Sequence, residues 1–113
     1  MVPIAIDDSS VIDGIAYDGE ILILEVYDHL GFEGRFEFEH ITLLQDKLNT
    51  YLWYIDSKQY LDVYPEKTFT EFIINVHFLK KITDNCKKYI DVSNEKLQSL
   101  KVTIIPVVDH ENL

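Results

Sequence analysis

Two hydrophobic periods alternate along the chain, and the switches between them mark its elements. In "VIDGIAYDGEILILEVYD" (11–28), two β-rich runs with period-two patterning flank Asp18-Gly19. A type I′ turn favours such a pair because both central positions need positive φ. With Tyr17 opposite Glu20, Ile15 faces Leu22, Asp13 faces Leu24 and Val11 faces Val26 on one side of the ribbon. Ala16 with Ile21, Gly14 with Ile23 and Ile12 with Glu25 take the other side. Leu22, Leu24 and Val26 form the better core row. Ile21, Ile23 and Tyr27 leave the second face partly apolar, a surface suited to a cover.

The period then lengthens. In "EHITLLQDKLNTYLWYID" (39–56), Ile41, Leu44, Leu48, Leu52 and Ile55 recur at three- and four-residue steps, with Tyr51 at the edge of the stripe. Glu37 and Glu39 near the start suit the positive end of the helix dipole. The helix should end between Asp56 and Lys58. The segment "KQYLDVYPEK" (58–67) predicts an aromatic connection closed by Pro65, with room for one helical turn.

Alternation returns in "FTEFIINVHFLK", where Phe72, Ile74, Val76 and Phe78 form a core row and Glu71, Ile73, Asn75 and His77 face away. Thr83 or Asp84 caps a second helix with Cys86, Tyr89 or Ile90, Leu97 and Leu100 on one side. The last strand, "KVTIIPVVD", contains Pro106, which cannot donate a ladder hydrogen bond and so predicts an edge strand or a bulge. The order β-β-α-β-α-β predicts a single α+β domain over residues 1–113. It would be a two-layer sandwich, a four-stranded sheet with two helices on one face. Strand order does not follow from the pattern.

Composition adds little to this picture, and charge adds more. The chain has 113 residues, 47% hydrophobic and 27% charged, which suits one globular core. One cysteine excludes an internal disulfide framework and a thiolate zinc cluster. The start, "MVPIAIDDSS", lacks the basic and long apolar regions of a signal peptide, and no apolar run approaches the ~20 residues of a membrane span. A soluble cytoplasmic domain is expected. Residues 1–40 hold ten acidic residues against Arg35, ten minus one giving −9 of the net −10. That field disfavours nucleic acid and anionic lipid, and it favours a basic protein partner.

"DHL" at Asp28-His29-Leu30, "EHITLLQDKLNTYL" from Glu39 to Leu52, and Tyr64-Pro65 together resemble a family of small, uncharacterised bacterial proteins. The likeness runs from the hairpin to the last strand. It implies a domain of unknown function and transfers no catalytic role. The segment "DSKQYLDVYP" lacks the glycine expected just after the first helix.

Candidate chemistry is sparse. Asp28, His29 and His40 supply metal-ligand types, which would serve a metal-dependent enzyme, but tight spacing such as HExxH is absent. The simpler expectation is a solvated acidic turn with capping histidines. A second Asp-His pair, Asp109-His110, would join the first only if strands two and four were parallel neighbours. Cys86 sits on the apolar stripe, where a cysteine acts as a small hydrophobe. Nothing resembles GxSxG or a phosphate-cradling loop. No catalytic residue, metal or cofactor is expected.

The binding candidates are aromatic. With Leu48 at the centre of the buried stripe and ~100° per residue, Trp53 falls ~140° away and Tyr54 ~120° on the other flank. Both sit beside the segment carrying Tyr60 and Tyr64. Trp and Tyr are enriched at interface hot spots, although the 58–67 segment is also placed to fold over Trp53. Trp53, Tyr54, Tyr60 and Tyr64, with Glu33 and Glu37 from the acidic third, are the expected partner-binding residues. The expected function is therefore a small acidic protein-binding domain, for example one that neutralises a basic toxin as immunity proteins do. The alternative is a structural or regulatory homo-oligomer joined through the hairpin face or an edge strand.

Overall fold

A computed structural model describes residues 11–30 and 36–108. The elements run β1 (Gly14–Asp18), β2 (Ile21–Asp28), α1 (Phe36–Asp56), a 3₁₀ turn (Gln59–Asp62), β3 (Glu71–Phe78), α2 (Asp84–Leu97), a second 3₁₀ turn (Gln98–Leu100) and β4 (Val102–Val108). The sheet order is β1-β2-β3-β4, antiparallel between β1 and β2 and parallel thereafter. Each helix crosses over between adjacent parallel strands. Both crossovers step in the same direction, so crossovers of one hand put both helices on one face. The α+β sandwich read from the pattern is the fold observed.

The core lies between that face and the helices. Leu22, Leu24 and Val26 of β2, Ile74, Val76 and Phe78 of β3, and Val102 and Ile104 of β4 are buried against Leu44, Leu48, Tyr51 and Ile55 of α1 and Cys86 and Ile90 of α2. The period-two rows face the helical stripe as expected, but that stripe is turned toward Tyr51, which was expected at its edge and is fully buried, whereas Ile41 and Leu52 are half-buried. Thr83 is the N-cap of α2 and its hydroxyl accepts from Cys86 N–H at 3.2 Å. β4 is an edge strand, one of the two placements expected from Pro106. Its Ile104 N–H and C=O are bracketed by the side-chain amide of Asn94 on α2, at 2.7 and 2.9 Å. Proline and this bracket close the β4 edge to strand addition.

The hairpin register differs from the expectation by two residues. Tyr17 pairs with Leu22 and Asp18 with Ile21, leaving Gly19-Glu20 as the loop. Gly19 has φ +61° while Glu20 stays at negative φ, the pattern of a II′ rather than a I′ turn. Gly14 now stands opposite Glu25, and a Cβ at 14 would come within 3.2 Å of Glu25 Cβ. The glycine makes room for that carboxylate. A shift of two preserves which side chains face the core, so the core row is unchanged. Residues 11–13 leave the ribbon to contact α1.

No glycine ends either helix. Lys58 and Lys101, just past α1 and the α2 extension, take left-handed φ of 60° and 61°. Their N–H groups donate to Ile55 and Gln98 carbonyls, each at 3.1 Å. Leu100, expected on the buried stripe of α2, falls in the terminal 3₁₀ turn and is exposed.

Candidate partner-binding groove

After α1 ends at Asp56, the chain reverses through Lys58, and the 3₁₀ turn carries Tyr60 back beneath the helix. Tyr60 packs edge-on to Phe69 with centroids 5.4 Å apart and lies 5.9 Å from Phe72 at the start of β3. These rings, with Ile55 and Val102, floor a groove of about 820 Å³ between the C-terminal ends of the two helices. Trp53, Leu61 and Leu100 form its apolar rim and are 59%, 38% and 61% exposed. Asp56, Lys58, Glu66 and Lys67 supply the charged rim. Lys67 Nζ is held over the Tyr17 ring, 4.1 Å from its centroid.

The expected partner-binding residues divide accordingly. Trp53 is open at the rim and is not covered by the 58–67 segment. Tyr60 is a core residue at 6% exposure, so it shapes the floor and offers little surface of its own. Tyr64 is half-buried against Tyr17 and Phe69, at 5.0 and 6.1 Å, and does not line the groove. Tyr54 is half-buried outside it, and burial raises its phenol pKa. Glu37 lies in the first turn of α1, sixteen residues and so roughly 24 Å from Trp53, and accepts from Asn85 Nδ2 at 3.2 Å. It belongs to the far end of the helix. Glu33 lies outside the described residues. Leu61 and Phe69 were missed because a short 3₁₀ turn and irregular chain carry no periodic signal, and Leu100 was expected in the core because the helical period was continued past the end of α2.

The acidic third is not the uniform field that its sequence suggests, because Asp13 and Asp28 turn inward and Glu25 is bonded across the open face of the sheet. Asp13 Oδ1 lies 2.8 Å from Lys47 Nζ, with both side chains fully buried. Asp13 Oδ2 accepts from Tyr27 N–H at 3.0 Å, and Asp13 N–H donates to Tyr51 Oη at 2.7 Å. Tyr51 in turn donates to Glu25 C=O at 2.5 Å, and burial raises its phenol well above the ordinary range. Glu25 itself takes Asn75 Nδ2 at 3.0 Å and forms a short hydrogen bond with His77, whose ring stacks on Tyr27 with centroids 5.0 Å apart.

Asp28 is the second inward carboxylate. Its Oδ2 lies 2.5 Å from His40 Nε2, and its Oδ1 accepts from Leu30 N–H at 3.1 Å. Asp28 and His40 thus meet in the interior, which corrects the expectation of a solvated acidic turn for this pair. His29 is exposed, and among the described residues no group of three or more His, Cys, Asp or Glu is placed to hold a metal ion. β3 separates β2 from β4, so the two Asp-His pairs are not on neighbouring strands. Asp109 and His110 lie outside the described residues. Cys86 is fully buried, and burial, with Asp28 and Glu37 nearby, pushes its thiol up to about 12. Such a thiol is a poor nucleophile. No helix of the described residues is long and apolar enough to cross a membrane.

Residues 4–109 match the model of a family of unknown function, DUF6572, and the chain belongs to that family. No curated protein and no solved structure matches it.

Proposed function

We propose that this member of a family of unknown function is a non-catalytic protein-binding domain that docks its partner in the groove beneath Trp53. The observation that carries this reading is a tryptophan with 59% of its surface exposed, standing over a concave apolar floor of aromatic and aliphatic side chains. Exposed tryptophan beside such a floor is the composition of an interface hot spot. The net charge of −10 favours a basic partner by long-range steering, the behaviour of an immunity-like neutralising protein. Capture on immobilised protein tests it. A partner held by the wild type should be released by Trp53→Ala and by Leu100→Glu, with both variants folded by circular dichroism. A partner retained by both would remove the groove from the function.

The open face of the sheet favours a second reading, self-association. Tyr27, Ile105 and Val107 are 47%, 38% and 37% exposed there, beside half-buried Ile21, Ile23 and Ile73. Sedimentation equilibrium decides it. A dimer that becomes monomeric with Ile73→Glu supports the oligomer, and a wild type monomeric at high concentration removes it.

A further inference from the structure

The four charged residues of the rim cancel formally, Asp56 and Glu66 against Lys58 and Lys67, so the bias of the groove comes from how the helix ends are charged. Both helix C-termini end on it with negative partial charge, offset at α2 by Lys96 in its last turn and at α1 by no basic residue within the helix's last turn. Asp56 adds a full negative charge at that end of α1, whose last turn contains no basic residue. A carboxylate at a helix C-terminus opposes the dipole. Among the described residues Asp56 makes no ion pair, since the three present join Asp28 to His40, Asp13 to Lys47 and Glu25 to His77. Glu66 on the opposite rim is likewise outside those pairs. The hairpin turn, with exposed Asp18 and Glu20, closes the same end of the sheet through Glu20 C=O, which accepts from Thr70 N–H at 2.9 Å. Of the rim lysines, Lys67 is turned onto the Tyr17 ring and Lys58 sits at the cap, beside the helix end it partly offsets.

From this we infer that the groove takes a segment of a protein partner in which an apolar side chain is followed closely by a lysine or arginine, its cation resting at Asp56. This rests on the groove reading above and adds the chemistry of the occupant. The apolar group would fill the space over Tyr60, Phe69 and Val102. The cation would relieve the opposition between Asp56 and the dipole of α1.

The test uses decylammonium and decanoate below their micellar concentrations and decanol below its solubility limit, as probes of an apolar chain with a positive, negative or neutral end. Trp53 is the only tryptophan, so its fluorescence reads the groove directly. Decylammonium should bind tighter than decanol by roughly two- to fivefold, the range of one exposed charge pair, and decanoate should bind weakest. Asp56→Asn, which keeps Trp53, should erase the preference for decylammonium while leaving decanol unchanged. Leu100→Ser, which removes apolar rim surface without adding charge, should weaken all three. Equal binding of the three probes, tightest binding of decanoate, or a preference that survives Asp56→Asn overturns the cationic occupant and leaves the groove reading standing. No response from any probe, or none altered by Leu100→Ser, overturns the groove reading with it.

Discussion

Lys47 and Asp13, 34 positions apart in sequence, meet as an ion pair with Nζ 2.8 Å from Oδ1 and no solvent exposure of either side chain. Lys47 Nζ also donates to Val11 C=O at 2.7 Å. The pair ties the chain entering β1 to the middle of α1. Removing one partner strands a charge in the interior, which costs several kcal/mol, whereas removing both costs far less. Lys47→Met should therefore destabilise by about 3–5 kcal/mol in urea denaturation, and Lys47→Met/Asp13→Asn by less than the sum of the single changes. Additive single effects would show that the two charges are not coupled.

Three backbone positions with positive φ make opposite predictions. At Gly19 a Cβ would meet nothing within 4 Å, so the cost of Gly19→Ala is conformational alone, about 1 kcal/mol. Gly19→Val should cost more. Lys58→Gly and Lys101→Gly relieve left-handed strain and should each stabilise by about 0.5–1 kcal/mol. Thermal midpoints moving the other way at either lysine would mean that its side chain supports the helix end more than its backbone strains it.

The two faces of β2 should respond unequally. Leu24 is fully buried between sheet and helices, and Leu24→Ala should cost ~2–5 kcal/mol. Ile23 faces the open side and is only half-buried, so Ile23→Ala should cost clearly less. Equal losses in denaturation midpoint would indicate that the open face is covered in solution.

Alkaline pH should weaken the fold through Cys86. The unfolded chain releases this proton near 9.0, whereas the native state holds it up to about 12. Between those values the native state binds more protons, so stability falls as pH rises, with a limiting slope of about 1.4 kcal/mol per pH unit. At pH 9 the slope is about half its limit, and it fades to nothing well below that pH. Urea midpoints should fall between pH 9 and 10.5 and fall less in Cys86→Ala. Tyr51, shifted in the same direction, adds to the loss above its ordinary value of 10.0 in both proteins. Indistinguishable slopes would show that Cys86 is not differentially protonated.

Once a partner is captured, its kinetics should separate steering from anchoring. Added salt should slow association, because the ~8 Å Debye length at physiological ionic strength screens the acidic surface. Trp53→Ala should speed dissociation, as loss of a desolvated anchor does. Glu37→Lys, at the far end of α1, should alter only association. A Glu37→Lys variant that dissociates faster would place the interface along the helix and not at the groove.

Local pattern was enough for everything that depends on the repeat of one element. The period of two in 22–26 and 72–78 chose the core face, and the 3.6 period of 41–55 chose the helix stripe. Pro106, lacking its N–H, marked the edge strand, and the apolar neighbours of Cys86 marked its burial. Each of these follows from side-chain direction within a few residues. Register escaped that logic, because pairings two residues apart bury the same side chains and differ in the turn they require and in what stands opposite Gly14. Lys47 reads as polar on a helix face, yet it is buried because residues 11–13 fold over it. Likewise Asp13, Glu25 and Asp28 count as surface charge in composition, but Lys47, His77 and His40 neutralise or bond them from 34, 52 and 12 positions away. The groove is decided the same way. Its floor draws Ile55, Tyr60, Phe69 and Val102 from four separate stretches of chain, and only the packing of two helix ends against the sheet brings them beside Trp53.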